Sequence, residues 1–140
     1  MTRARPNARR REQEFQIALV RLLNVALTPE TRFFHVPNGG YRTKAEGGIL
    51  KAMGVKPGMF DLVFLHRLNF GDISVCCAFG LELKSADGDL DENQREVHAD
   101  LAQLGMPIGV AHTIDEALEQ LRMWCIPLRL KDETASRTAA

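Results

Sequence analysis

Two apolar runs on either side of a single turn constrain this chain more than any other feature. Residues 60–66 read FDLVFLH and residues 73–84 read ISVCCAFGLELK. Both have strand composition, and Asn69 with Gly71-Asp72 separates them, so an antiparallel hairpin is the simplest connection. Residues pair across a hairpin when their numbers sum to a constant. A turn centred between Gly71 and Asp72 sets Asp61 opposite Glu82. Glu82 and Lys84 are two apart on one strand and share a face, whereas Leu83 points to the other face, into the core. Two carboxylates and one ammonium are thus directed to a small volume at one end of a sheet.

That grouping suits a hard divalent cation, which takes oxygen ligands and usually keeps several waters. Asp61, Glu82 and the backbone carbonyl of Leu83 are the candidate protein ligands. A metal so held polarises a phosphate and lowers the pKa of a bound water. Lys84 is then placed to orient that water and to stabilise developing charge. A surface salt bridge between strand neighbours is the plain alternative, because an ExK triplet is common by chance. Against it, Glu82 and Lys84 close a run of Val, Cys, Ala, Phe and Leu, where burying charge is costly without a reason.

The remaining elements follow from periodicity and punctuation. Residues 9–26 have helical spacing of Phe15, Leu19, Leu22, Leu23 and Ala26, and Thr28-Pro29-Glu30 ends it. A short strand is expected over 31–36, then a loop at Pro37-Asn38-Gly39-Gly40. A helix over 45–53 is weakened by Gly47 and Gly48, and Gly54 with Lys56-Pro57-Gly58 makes a second turn. After a polar loop at 87–90, a helix spans 91–104 and stops at Gly105. A strand covers 107–112, and Thr113 caps a last helix through Leu118, Leu121 and Met123. The order describes one α/β domain, a central mixed sheet with helices on both faces.

Composition excludes several classes. The three cysteines, Cys76, Cys77 and Cys125, have no CxxC spacing, so neither a zinc site nor a disulfide scaffold is indicated. Cys76 and Cys77 sit in an apolar run and are expected to be buried, inert thiols. No stretch is apolar enough for a signal peptide or membrane span, and a reducing cytoplasm is the expected compartment. His35, His66, His98 and His112 are scattered without ligand spacing, although His98, four residues after Gln94, could approach a bound partner. Trp124 and Tyr41 are too few for a base-stacking platform.

Net charge is zero, with 18 basic and 18 acidic residues, but its distribution is uneven. Arg3, Arg5, Arg9, Arg10 and Arg11 crowd the amino end, and Asp87, Asp89, Asp91 and Glu92 crowd a later stretch. A basic arm beside an acidic pocket suits an enzyme that holds a polyanion and a divalent cation together; a solvated terminus is the bland reading. Asn38, Gly39, Gly40, Arg42 and Lys44, extended by Lys51 and Lys56, offer backbone N–H groups and cations suited to phosphate contacts.

The stretch VPNGGYRTKAEGGILKAMGVKPGMFDLVFL, followed by LELKSADGDLDENQREVHADLAQLGMPIGVAHTIDEAL, resembles the VRR-NUC domain of the PD-(D/E)XK nuclease superfamily. The likeness is an ordered series: an NGG-type loop, a KxxGxxxGxPDL turn into a strand, an ExK strand, a polar loop and a Q-bearing helix. It runs from the first helix to about Leu121. It implies a restriction-endonuclease-like core over 9–127, between a basic flexible arm at 1–8 and a disordered tail at 128–140. It further implies a Mg²⁺-dependent endonuclease, with Mn²⁺ able to substitute, that cuts DNA to leave a 5′ phosphate and a 3′ hydroxyl.

By position, Asp61 matches the family's metal-binding aspartate, Glu82 its second acid, Lys84 its catalytic lysine and Gln94 a glutamine beside the site. A first-helix glutamate ahead of a glutamine, joining Asp61 and Glu82 in holding the metal, is also implied. EQEFQ offers Glu12 or Glu14 before Gln16, and Glu12 is favoured because it shares a helix face with Gln16. Gln94 is equally the third residue after Asp91 in a near capping box, and the two roles are compatible. One departure is plain: Phe60 stands where the family has proline. Relatives make a branched, Holliday-junction-like substrate an expectation, with a homodimer to cut two strands and a bacterial or phage-infected cell as the setting. The rival reading is a non-catalytic nucleic-acid-binding module of a phage or restriction assembly.

Overall fold

The structure, a computed structural model, describes residues 6–37 and 42–130. The hairpin forms as its turn dictates. Strands β2 (Leu62–Phe70) and β3 (Ile73–Leu83) pair antiparallel from Phe70↔Ile73 to Leu62↔Leu81. Gly71, at φ 59°, takes the first turn position of a two-residue loop, which a type II′ hairpin reserves for positive φ. So tight a turn carries pairing right up to Phe70. Asn69, expected to be a boundary, is therefore a strand residue, paired with Ser74 and accepting a hydrogen bond from its hydroxyl at 2.7 Å. At the other end, Phe60 and Asp61 precede the strand instead of opening it.

Strand β1 (Thr31–His35) pairs antiparallel with β2, and β4 (Ile108–Ala111) pairs parallel with β3, giving the order β1-β2-β3-β4. Four helices flank this sheet: α1 (Pro6–Ala26), α2 (Lys44–Ala52), α3 (Glu92–Gln103) and α4 (Ile114–Met123). Leu19 and Leu23 of α1 with Ala117 and Leu121 of α4 pack on Leu62, Phe64, Phe79, Leu81 and Leu83. Each fully buried leucine contributes about 1.5–3 kcal/mol. The opposite face carries Glu82 and Lys84, and α3 approaches it through His98, which packs on Phe60. The α/β arrangement expected from the element order is the one observed.

Three local expectations change. Helix α1 begins at Pro6, three residues before the apolar spacing does, because proline suits a first helical position where no N–H partner is needed. Cys76 is exposed and Cys77 half-buried, not interior. The hairpin's far end projects past the packing helices, leaving Phe70, Ile73 and Val75 exposed as well. An apolar run records strand composition; what covers it is decided elsewhere in the chain. Finally, attachment continues past residue 127: Leu128 bridges Leu27, and the Arg129 N–H donates to the Ala26 carbonyl at 2.7 Å. Residues 131–140, with Arg3 and Arg5 of the basic arm, lie outside the described residues. No helix among the described residues is long and apolar enough to cross a membrane.

Helix α2 has no buried residue and contains two adjacent glycines. Its start is held by a capping box: the Thr43 hydroxyl accepts from Glu46 N–H at 3.2 Å, and Glu46 accepts from Thr43 N–H at 2.8 Å. Such a cap contributes about 1 kcal/mol and offsets part of the glycine penalty.

Candidate active site

Continuing the β2–β3 register by one residue sets Asp61 beside Glu82, and both line one cavity. The Leu83 N–H donates to Asp61 Oδ2 at 2.8 Å, so the aspartate reaches across to the end of β3. Glu82 is 2% exposed, although ionisable, because its strand runs through the middle of the sheet. Lys84 Nζ lies 3.3 Å from Glu82 Oε1. Leu83, between them, is buried in the core as strand alternation requires.

Helix α3 closes one side through Gln94. The Asp91 carboxylate accepts from Gln94 N–H at 2.9 Å, and Gln94 Oε1 accepts from Asp91 N–H at 3.1 Å, which completes a capping box. The same Oε1 accepts from Lys84 Nζ at 2.8 Å, while Gln94 Nε2 donates to Glu82 Oε1 in a short hydrogen bond. Gln94 therefore caps α3 and touches both Glu82 and Lys84. The amide is what permits this: a glutamate could cap the helix but would set a third carboxylate against Glu82.

Helix α1 closes the other side. Its inward stripe, residues 9, 12, 16, 19, 23 and 26, is polar for three positions and buried and apolar for the last three. The polar half overhangs the end of the sheet. Glu12 Oε1 there accepts from Ser85 N–H at 3.1 Å. Glu14 points elsewhere and pairs with Arg10 at 2.9 Å, both exposed, so Glu12 is the first-helix acid that reaches the site. Together Arg9, Glu12, Gln13, Gln16, His35, Asp61, Glu82, Leu83, Lys84 and Gln94 line a cavity of about 380 Å³.

The electrostatics are those of buried like charges. Burial, with the Asp61 charge adding to it, pushes the Glu82 carboxyl up to about 8 despite Lys84 and Gln94. Burial also raises Asp61, against the opposing pull of the Leu83 N–H, Lys84 and His35. Glu82 Oε2 is buried with no hydrogen-bond partner among the described residues.

Phe60, the departure from the proline pattern, is fully buried. Its ring lies 4.6 Å, centre to centre, from His98 and fills the space above Gly80, where a Cβ would come within 2.4 Å of it. His98 is thus a packing residue, 7% exposed, and its ring is held below its ordinary pKa by burial first. Gly58, at φ 84°, lets the same turn meet the Asn93 carbonyl, where any Cβ would lie 2.7 Å away. The turn that delivers Asp61 is consequently keyed to the helix that delivers Gln94.

Other expected contacts fall apart from this cavity. Arg42, Lys51 and Lys56 line a separate shallow groove with Leu50, Val55 and Pro57. Arg42 donates to the Pro37 carbonyl at 3.1 Å, and Lys44 is exposed at the start of α2. Asn38, Gly39 and Gly40 lie outside the described residues. Gln13 and His35 line the cavity without having been singled out for it, and Arg9 and Gln16, named only as part of the basic arm and as the mark of the Glu12 face, line it too. The helical spacing of 9, 13 and 16 around Glu12 was the available signal.

No protein-family model matches the sequence, and no curated protein matches it. Among solved structures, a VRR_NUC domain protein superposes over 81% of this chain and 86% of its own, with a TM-score of 0.56 and 21% identity. This chain shares its fold with a VRR_NUC domain protein. The VRR_NUC likeness covers most of both chains, in agreement with the fold that the series of motifs implied.

Proposed function

We propose that this chain is a divalent-metal-dependent endonuclease that hydrolyses DNA phosphodiester bonds. The observation that carries the reading is a buried Glu82 on a cavity shared with Asp61 and Lys84, one of whose carboxylate oxygens has no hydrogen-bond partner among the described residues. Unpaired buried carboxylates of like charge are costly, and a cation between them removes the cost.

No three His, Cys, Asp or Glu side chains among the described residues form a ready-made metal cluster. Mg²⁺ does not need one, since it is commonly held by one or two carboxylates and keeps waters. The residues fit it: Asp61, Glu82 and the Leu83 carbonyl would hold the ion, with Glu12 reaching the rim. When bound, the ion supplies phosphate polarisation and an acidified water. Lys84, donating to Gln94 and adjacent to Glu82, stands ready to orient a water and offset charge on a phosphate oxygen. Gln94 fixes both groups. Arg9, Gln13 and the cations Arg42, Lys44, Lys51 and Lys56 would meet the backbone of the DNA. One site cuts one strand, so symmetric cutting of a branched, Holliday-junction-like substrate calls for a homodimer.

The test is cleavage of plasmid and four-way-junction DNA with and without Mg²⁺ or Mn²⁺, comparing wild type with Lys84→Ala and Asp61→Asn. Metal-dependent cutting should disappear in both variants while DNA binding persists, and Mn²⁺ affinity should fall in Asp61→Asn. DNA binding by wild type without metal-dependent cutting would instead favour a non-catalytic module.

A further inference from the structure

We propose that His35 is a positioning residue of this site, which donates its Nδ1–H to the Asp61 carbonyl oxygen and so fixes the main chain from which the Asp61 carboxylate projects. The inference rests on the nuclease reading for its consequence, but its geometry stands apart from it.

Asp61 precedes β2 and lacks a strand partner of its own. Its carboxylate is tethered on one side, by the Leu83 N–H. Its carbonyl oxygen is tethered on the other, accepting from Val36 N–H at 3.0 Å and lying 2.8 Å from His35 Nδ1. A carbonyl oxygen only accepts, so this contact is a hydrogen bond when Nδ1 carries the proton, the tautomer the proposal assigns. Gln16 Nε2 of α1 also lies 2.8 Å from Nδ1. A protonated Nδ1 cannot accept from an amide, so in this tautomer the Gln16 amide is turned over to present its oxygen, and the one Nδ1–H is shared between the Asp61 carbonyl and Gln16. The result is a chain of contacts from α1 through β1 to the loop carrying Asp61. His35 itself is exposed and fills no core space. Its side chain has no packing task at the end of β1, and its polar contacts are with the site.

The chemistry of the ring separates this role from the obvious rival, a working Nε2 that touches substrate. Asparagine reproduces a donor near Nδ1, and glutamine reproduces one near Nε2. For a group that orients a metal ligand, removal costs about 10–100-fold in activity or metal affinity. We expect His35→Ala to lower kcat by about that factor with KM for DNA nearly unchanged, and to weaken Mn²⁺ binding. His35→Asn should restore most of both, and His35→Gln should not. Two nuclear magnetic resonance readouts need no catalysis: the neutral His35 ring should be the Nδ1–H tautomer, and the Asp61 carbonyl carbon signal should move in His35→Ala and return in His35→Asn. An Nε2–H tautomer, an unmoved Asp61 signal, or rescue by glutamine as good as by asparagine would overturn the proposal. A wild-type chain that neither binds Mn²⁺ nor cuts DNA would defeat the nuclease reading, and the tautomer and carbonyl signals would still decide the His35 bond.

Discussion

Replacing Glu82 by glutamine should make the metal-free protein more stable, by an amount that depends on pH. The unfolded chain ionises this carboxyl at its ordinary value of 4.5, whereas the folded protein holds the proton up to about 8. A folded-state pKa above the unfolded one means that the native state binds more protons between those values. Stability therefore falls as pH rises through that window, by about 1.4 kcal/mol per pH unit. By pH 7 the loss is about 3 kcal/mol, and above pH 8 it levels off near ~5 kcal/mol. Glutamine keeps the acceptor for Gln94 and never ionises, so it escapes this loss; it also relieves Asp61 of a like charge. Urea unfolding of both proteins at pH 5, 7 and 8.5, in chelator, measures the gap. It should be under about 1 kcal/mol at pH 5 and widen to several kcal/mol at pH 8.5. A gap that stays the same at pH 5 and pH 8.5 would refute the claim that burial and the Asp61 charge hold Glu82 protonated. The same substitution should abolish metal-dependent cutting, so that stability rises as function is lost.

Two further outcomes follow from the same geometry. Divalent-metal affinity should increase from pH 6 to 9 with release of protons, because a cation must displace the proton retained on Glu82; calorimetry in buffers of different ionisation enthalpy reads this directly, and binding without proton release would contradict it. Phe60→Ala should destabilise the fold by about 3–5 kcal/mol, measured by chemical denaturation, since the ring is fully buried between His98 and Gly80; a loss under 1 kcal/mol would show that the turn does not depend on this wedge.

Much of the site was legible because its spacing is local. A two-residue turn with glycine at its first position determines hairpin register, and the period-2 alternation of strands then directs Glu82 and Lys84 one way and Leu83 the other. Asp91 and Gln94, three apart at a helix start, were equally readable as a cap. These are consequences of covalent geometry over short stretches, and the sequence by itself determined them.

Tertiary structure decided the rest. Whether Glu12 or Glu14 reached the site depended on the angle at which α1 overhangs the sheet, and Glu12 meets Ser85, which lies 73 positions further along the chain. His35 had no ligand spacing to mark it; it became part of the site only when β1 brought it alongside Asp61. Cys76, expected to be interior, is exposed despite its apolar run, and Phe60, where the family has proline, fills a space that Gly80 leaves open. In each case the deciding quantity is what packs over a residue, and packing is a property of distant segments brought together, not of neighbours along the chain.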